Sequence, residues 1–211
     1  MEIIDLTQTI SSTMPVYPGT EPPVITDATT IEKDGFAEKR ISFFSHTGTH
    51  IDAPGHILRG RSTLDQFNAD KFIGKGLVID VTKCKTGIIE KECLEKYSAE
   101  IAGCDFIIFR TGWDKKWGTE NYFIGFPILS ADAVKWLCSF NIKGIGFDCI
   151  SVDPVDSAGL PNHRILLNKD LVIVENLCNL DQLTGLPFLF SCLPLKIENS
   201  DGSPVRAVGI M

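Results

Sequence analysis

The sequence predicts an α/β protein in which helices flank a mixed β-sheet. Short, nearly continuous apolar runs rich in β-branched and aromatic residues recur along the chain, as is typical of buried strands. Segments with helical spacing of apolar residues lie between some of these runs, and that alternation is the pattern of α/β proteins. The chain also ends on successive strand-like segments, so we expect the sheet to be mixed.

The first part of the chain contains few regular elements. Residues 3–7 and 41–45 have the composition of strands. Residues 14–23 (MPVYPGTEPP) contain four prolines and one glycine, which predicts a loop. Residues 46–56 are expected to be irregular.

Strands and helices are predicted to alternate in the middle of the chain. Residues 76–82 (GLVIDVT) and 105–110 (DFIIFR) have the pattern of buried strands, and residues 88–97 between them have the pattern of a helix. A second helix is predicted over residues 130–140, with Ser130 as its N-cap. Further strands are predicted over residues 143–148, 171–175, 187–197 and 205–210.

Length and charge limit the functional classes. A chain of 211 residues suits one domain, which we place over residues 1–211. Its 20 basic and 27 acidic residues give a formal charge of −7, and no basic cluster is present, which argues against nucleic-acid binding and against anionic membranes. The seven cysteines form no C-x-x-C pair, and the N-terminal stretch lacks a signal-peptide pattern. We therefore expect a soluble, cytoplasmic protein with reduced thiols.

Three of the four histidines lie in residues 46–56 (HTGTHIDAPGH), with an aspartate between them. Imidazoles and a carboxylate are ligands that Zn²⁺ and Mn²⁺ accept. Gly48 and Pro54 disfavour a helix here, whereas His50 and Asp52 would point to the same face of an extended segment. The outer histidines are ten residues apart, about 33 Å in a straight strand, so one site requires the chain to bend.

Two further candidate ligands lie far downstream. His163 is the fourth histidine, and Glu175 ends an apolar strand, where a carboxylate is costly to bury without a cation. Together with the histidine cluster they supply enough ligands for a second metal ion. Asp148 and Asp153 either orient ligand imidazoles or cap turns, and the sequence leaves both readings open.

The stretch 46–56 resembles the H-x-G-T-H-x-D-x-P-x-H motif of the metal-dependent cyclase family, which includes kynurenine formamidases (arylformamidases) and isatin hydrolases. Segments that resemble other parts of that family follow in its order over nearly the whole chain. They are residues 4–7 (IDLT), 14–19 (MPVYPG), 147–148 (FD), 151–154 (SVDP), 163 (H), 174–177 (VENL) and 202–206 (GSPVR).

The resemblance implies a swivelling β/α/β fold, a homodimer or higher homo-oligomer, and one or two Zn²⁺ or Mn²⁺ ions in each subunit. It also implies a role for seven side chains, which bind the first metal (His46, His50, Asp52), bind the second metal (Asp52, His163, Glu175), donate and accept the proton (His56) or line the substrate pocket (Tyr17).

We expect a hydrolase of amide bonds that acts on a small molecule, and the resemblance suggests conversion of N-formyl-L-kynurenine to L-kynurenine and formate. Kynurenine formamidases often carry tryptophan at the position of Tyr17, so a cyclic amide such as isatin, or a lactone, is the alternative substrate. A metal-binding protein without hydrolytic activity is the alternative from another class. A serine hydrolase is disfavoured, because the sequence contains no G-x-S-x-G motif.

Overall fold

A computed structural model describes residues 1–84 and 87–211, and most of their strands join one large sheet. The α-helices in this part of the chain are short: α1 (Ile31–Asp34), α2 (Lys91–Leu94), α3 (Ser98–Ala102), α4 (Ala131–Leu137) and α5 (Pro161–Leu167). The strands are β1 (Ile3–Asp5), β2 (Val24–Thr29), β3 (Glu38–Ser42), β4 (His50–Asp52), β5 (Ile73–Asp80), β6 (Ile88–Ile89), β7 (Phe106–Arg110), β8 (Ile128–Leu129), β9 (Gly144–Phe147), β10 (Val172–Glu175), β11 (Phe188–Ser191), β12 (Gly202–Pro204) and β13 (Val208–Ile210).

The large sheet has nine strands in the order β1-β13-β11-β5-β7-β9-β10-β4-β12. The four central strands β5, β7, β9 and β10 run parallel to one another. Each of the remaining neighbours in the sheet pairs antiparallel. The prediction of an α/β protein with a mixed sheet is therefore confirmed.

Two hydrophobic clusters cover the two faces of the central strands. In β7, Ile107 and Phe109 pack into the cluster that contains the apolar faces of α4 and α5, while Phe106 and Ile108 pack into the other cluster. A strand buried on both faces needs apolar side chains at every position, which explains the unbroken run FIIF.

Several predicted elements are confirmed, most with shorter bounds, whereas the strand predicted over 76–82 starts three residues earlier and ends at Asp80. The predicted strands over 76–82, 105–110, 143–148 and 171–175 correspond to β5, β7, β9 and β10. Helix α4 lies within the predicted 130–140, and the Ser130 hydroxyl accepts a hydrogen bond from the backbone N–H of Ala133. The loop predicted over 14–23 contains no helix or strand.

The single helix predicted over residues 88–97 is wrong. The segment begins as β6, which pairs with β8, and α2 and a 3-10 helix (Glu95–Tyr97) follow. Ile89 is fully buried in the core, and its carbonyl accepts a hydrogen bond from the backbone of Ser130. Burial of Ile89 and this pairing hold the first two residues extended, against their helical pattern.

Other differences occur where pairing partners are distant. The strand predicted over 41–45 lies at Glu38–Ser42 and pairs with β2 in a hairpin. The strand predicted over 187–197 ends at Ser191, and the one over 205–210 is confined to Val208–Ile210. The sequence patterns missed α5, whose N-cap Leu160 offers no capping side chain, and β12, which carries a proline that an edge strand tolerates.

The β2–β3 hairpin carries mostly exposed side chains. The expectation of a homodimer or higher oligomer stays a prediction.

Among the residues described, no helix combines the length and apolar character that a membrane span requires.

Candidate metal centre

The central strand of the site is β4, which lies between β10 and β12 in the sheet. His50 and Asp52 point to one face of β4, whereas Ile51 between them is packed in the apolar core. In the pairing register, Glu175 at the carboxyl end of β10 lies opposite His50. This edge is formed by the carboxyl ends of parallel strands, where α/β sheets commonly bind ligands.

The predicted bend of residues 46–56 is present. Gly48 has a positive φ of 64°, which turns the chain before β4 and returns His46 to the site. A 3-10 helix at Pro54–His56 turns the chain again after β4 and directs His56 towards the same region. The rings of His46 and His56 lie 3.9 Å apart between centroids, although ten residues separate them.

His163 enters the site from the first turn of α5. Asp153 holds it there, because its carboxylate accepts hydrogen bonds from His163 Nδ1 at 2.7 Å and from the backbone N–H of His163 and Asn162 at 3.0 Å. Asp153 thus orients the His163 imidazole, which is the first of its two expected roles, and it also accepts hydrogen bonds from the backbone at the start of α5.

Asp148 binds a turn of the backbone instead of an imidazole. Its carboxylate accepts hydrogen bonds from the backbone N–H groups of Thr111 and Gly112 and from the Thr111 hydroxyl. Burial raises the pKa of Asp148 to about 6, although these hydrogen bonds oppose the shift. Asp148 therefore fixes the turn after β7 and contacts no imidazole through these bonds.

Four buried side chains form a compact cluster of opposed nitrogen and oxygen atoms. His50 Nε2 lies 3.4 Å from Asp52 Oδ1 and 3.4 Å from Glu175 Oε2. His163 Nε2 lies 3.7 Å from Asp52 Oδ2 and 3.5 Å from Glu175 Oε1. Two ligand atoms about 2.1 Å from a tetrahedral ion are about 3.4 Å apart, so these separations suit a shared cation better than direct hydrogen bonds.

The hydrogen-bonding state of the cluster also fits a cation. Glu175 Oε1 is buried and accepts no hydrogen bond from the described residues. His50 directs Nδ1 to the carbonyl of Gly48 at 2.9 Å, as His163 directs Nδ1 to Asp153, so both histidines present Nε2 to the carboxylates. Imidazole Nε2 atoms and carboxylate oxygens are suitable ligands for a divalent cation such as Zn²⁺ or Mn²⁺.

His46 occupies a different place from the four clustered residues. Its Nδ1 lies 2.7 Å from Asp52 Oδ1 and its Nε2 lies 3.0 Å from Asp201 Oδ2. His46, Asp52 and His56 form one group with ligand atoms close enough for a metal, and His50, Asp52 and Glu175 form another. Asp52 is common to both groups, and the division of the ligands between two metals stays a prediction.

Asp201 is a site residue that the sequence analysis missed. Its Oδ2 is 3.1 Å from His56 Nδ1 as well as 3.0 Å from His46 Nε2, and its Oδ1 accepts a hydrogen bond from Ser45. The next residue, Gly202, faces the His46 ring so closely that a Cβ would lie 2.5 Å from it. No local pattern marks Asp201, because 145 residues separate it from His56.

A cavity of about 440 Å³ opens over the cluster. Tyr17 lines it, and the Tyr17 hydroxyl donates a hydrogen bond to the carbonyl of Val155 at 3.1 Å. Phe44, two residues before the histidine motif, also lines this cavity. The other walls are formed by polar residues (Thr20, Ser45, Ser151, Asp201), apolar residues (Ile57, Ile150, Leu160) and the clustered histidines and carboxylates with His46 and His56.

Two histidines in the site hold protons strongly. Burial acts to lower the pKa of His46, but the carboxylates of Asp52 and Asp201 outweigh it and raise that pKa to about 10. For His163, burial is likewise outweighed by Asp153, Glu175 and Asp52, and its pKa is also raised to about 10. Below that pH a cation must compete with a proton at each of these rings.

Each of these two histidines must lose a proton when it becomes a ligand, so metal binding at neutral pH is expected to release protons. The affinity of the protein for the metal should therefore rise with pH up to about 10. Titration of the protein with Zn²⁺ or Mn²⁺ in a weakly buffered indicator solution measures this release. Variants His46→Gln and His163→Gln assign it, because each should lower the number of protons released. Binding that is independent of pH between 7 and 9 would contradict the expectation.

The chain is similar to known proteins over most of its length. The cyclase family model, described as "Putative cyclase", matches residues 4–154. The chain is 33% identical to a kynurenine formamidase of Bacillus thuringiensis (strain Al Hakam), over 98% of this chain and 96% of the relative. The fold is similar to that of an isatin hydrolase bound to the product analogue thioisatinate, with a TM-score of 0.90, 27% identity and coverage of 100% of this chain and 92% of the other. It is also similar to a potential metal-dependent hydrolase with cyclase activity, with a TM-score of 0.82, 27% identity and coverage of 99% and 96%.

Proposed function

The chain belongs to the cyclase family, and from that premise we propose that it is a metal-dependent amide hydrolase that converts N-formyl-L-kynurenine to L-kynurenine and formate. The observation that carries this proposal is the cluster of His50, Asp52, His163 and Glu175 at a cavity that His56 also lines. A bound carbonyl group can reach this cluster and a proton-transferring imidazole from the same cavity.

Each ligand in the cluster has a defined task. Asp52 and Glu175 supply the negative charge that offsets a divalent cation, and both are nearly inaccessible to solvent. Gly48 and Asp153 fix the two imidazoles with Nε2 facing inward. A Zn²⁺ or Mn²⁺ ion held here would supply Lewis acidity, polarising the formyl carbonyl and lowering the pKa of a water molecule.

His56 is the proposed proton carrier. Its Nδ1 faces Asp201, which leaves Nε2 for the reacting atoms, since this nitrogen has no hydrogen bond to any described residue. Burial lowers the pKa of His56, although Asp52 and Asp201 oppose the shift, so the ring is neutral at neutral pH and can accept a proton from water.

Hydrolysis requires that this proton reach the leaving group. As the C–O bond to the water oxygen forms and the C–N bond of the formamide breaks, the protonated His56 can donate to the nitrogen, which leaves as the free aromatic amine. The products are L-kynurenine and formic acid, which ionises to formate and a released proton at neutral pH, and His56 returns to its neutral state.

The cavity walls support an aromatic amide as substrate. Tyr17 and Phe44 supply aromatic surface, and Ile57, Ile150 and Leu160 supply apolar surface around the polar cluster. A pocket that is largely apolar with a few convergent polar groups is typical of small-molecule sites. The ring of an aryl formamide can contact the aromatic and apolar walls while its carbonyl faces the polar cluster.

Isatin, a cyclic amide, is the second candidate substrate. The similarity to an isatin hydrolase, at a TM-score of 0.90, favours it, and the same cluster and proton carrier can open a ring amide or a lactone. The two candidates differ in what the aromatic walls must hold, because N-formyl-L-kynurenine carries an amino-acid side chain that isatin lacks.

We expect protein stripped of metal with a chelator to hydrolyse N-formyl-L-kynurenine only after Zn²⁺ or Mn²⁺ is restored, with a kcat/KM of about 10⁴ M⁻¹s⁻¹ or more. Formation of L-kynurenine, measured chromatographically, reports the reaction, and Mg²⁺ serves as the control ion. Stoichiometric metal without turnover would remove the formamidase assignment, and parallel assays with isatin and simple lactones would identify the bond that is cleaved. Metal held with no position open to water and no turnover of any substrate would indicate a non-catalytic metal protein.

A further inference from the structure

Asn176 lies directly after Glu175 and bridges two parts of the site. It is nearly inaccessible to solvent, and its backbone has a positive φ of 58°. Residues other than glycine rarely adopt this left-handed conformation, and asparagine is among those that tolerate it. Its carbonyl accepts a hydrogen bond from the Thr49 hydroxyl at 2.6 Å, which ties the end of β10 to the start of β4.

The side chain of Asn176 acts on the loop that carries the first histidines. Its Nδ2 donates a hydrogen bond to the carbonyl of Gly48 at 2.7 Å. The same carbonyl lies 2.9 Å from His50 Nδ1, and Asn176 Nδ2 itself lies 3.5 Å from that nitrogen. The Gly48 carbonyl is thus held from one side by Asn176 while it accepts from His50.

Tyr122 determines which way the Asn176 amide faces. The Tyr122 hydroxyl is fully buried and donates a hydrogen bond to Asn176 Oδ1 at 2.7 Å. Because Oδ1 accepts this bond, the NH₂ group of the amide must face Gly48. Tyr122 is itself held by the Trp113 indole, whose Nε1 donates to the Tyr122 carbonyl at 2.8 Å, and by the Trp117 ring.

We propose that Asn176 and Tyr122 are positioning residues for His50. The series of hydrogen bonds from Tyr122 through Asn176 to Gly48 fixes the carbonyl that accepts a hydrogen bond from His50 Nδ1. The His50 ring therefore keeps its proton on Nδ1 and presents Nε2 to Asp52 and Glu175. Neither Asn176 nor Tyr122 touches a reacting atom. The inference rests on the proposed metal site, because it explains how one of its ligands is oriented.

The variant Asn176→Gly tests this proposal. Glycine accepts the positive φ, so the substitution removes the amide without forcing the backbone. Asn179 offers a matched control, since it has a φ of 57° and its Nδ2 donates a hydrogen bond to the carbonyl of Asp5 at 2.8 Å. It is exposed, and its side-chain hydrogen bonds go to Asp5 and Cys178 rather than to the cluster. Asn179→Gly therefore removes a comparable hydrogen bond from a comparable backbone.

Two readouts are needed. Competition with a chromophoric chelator gives the metal dissociation constant, which should rise about 10- to 100-fold in Asn176→Gly and stay near the wild-type value in Asn179→Gly. Nitrogen-15 NMR of the imidazoles in protein stripped of metal with a chelator gives the His50 tautomer, and Asn176→Gly should show a reduced share of the Nδ1–H form. Tyr122→Phe, which keeps the ring, should shift both readouts in the same direction by less.

The outcomes separate this inference from the proposed function. Wild-type affinity and an unchanged His50 tautomer in Asn176→Gly would overturn the inference, as would equal losses in Asn179→Gly. If wild-type protein binds no divalent cation, the proposed function fails, and the tautomer measurement on the same samples still decides whether Asn176 orients His50. If Asn176→Gly does not fold, Tyr122→Phe decides through both readouts.

Discussion

Replacement of His56 by alanine is expected to lower kcat for amide hydrolysis by about 10²- to 10⁴-fold, the range typical of a lost general acid–base group, while metal content is preserved. His56 belongs to the cavity lining, but its ring nitrogen contacts Asp201 and makes no hydrogen bond with the four clustered residues. Its loss therefore removes proton transfer and leaves the ligands in place.

The pH profile gives an independent check on this role. Because burial lowers the pKa of His56, wild-type activity that requires the neutral ring should extend below pH 6.5 on the acidic side. In His56→Ala that limb of the profile should disappear together with most of the rate. Asp201 acts to raise the pKa of His56, so Asp201→Asn should move the acidic limb to lower pH, with a smaller loss of kcat.

Two results would count against the assignment of His56. A fully active His56→Ala variant would show that another group carries the proton. A variant that has lost both activity and metal, as measured by elemental analysis, would place His56 among the ligands instead, consistent with its nearness to His46 and Asp52.

The sequence could indicate the site residues because their chemistry is concentrated in short segments. The stretch 46–56 contains three of the four histidines, and the alternation of β4 places His50 and Asp52 on one face. Pairing of β4 with β10 then brings Glu175 opposite His50. The metal-ligand roles stay predictions, whereas the structure does bring these side chains together.

The residues that support the ligands were not predictable in the same way. Asp201 reaches His46 and His56 across 155 and 145 residues, and Tyr122 reaches Asn176 across 54 residues. Each is a common residue type in an ordinary local context, and its role exists only after the sheet has formed. Asn176 lies within the segment VENL that resembles the family, but no local pattern predicts a positive φ there.

The same distinction applies to the fold. The strands buried on both faces, β7, β9 and β10, are marked by their own composition and were predicted within one residue at each end. Short elements depend on distant partners: β6 is extended because it pairs with β8, and β12 is a strand because it pairs with β4. Local periodicity carries no information about such partners, so the helix predicted over residues 88–97 was wrong at its start.

Replacement of Asp52 by asparagine is expected to have the largest effect on metal binding. The Asp52 carboxylate is nearly inaccessible to solvent, and its two oxygens lie within 3.7 Å of nitrogens of His46, His50 and His163. Asparagine has a similar shape but replaces one oxygen by a donor NH₂ group and removes the charge. We expect the metal dissociation constant to rise by about 100-fold or more and kcat/KM to fall by about 10³-fold.

Asp148→Asn provides the matched control for this experiment, because Asp148 is equally buried but its hydrogen bonds go to the turn at Thr111 and Gly112. It should lower the free energy of unfolding while metal affinity stays near that of the wild type. Wild-type affinity in Asp52→Asn, measured by chelator competition, would contradict a shared ligand at this position. Loss of metal in Asp52→Asn but not in Asp148→Asn would mean that the carboxylate's place between the histidines, rather than its burial, holds the cation.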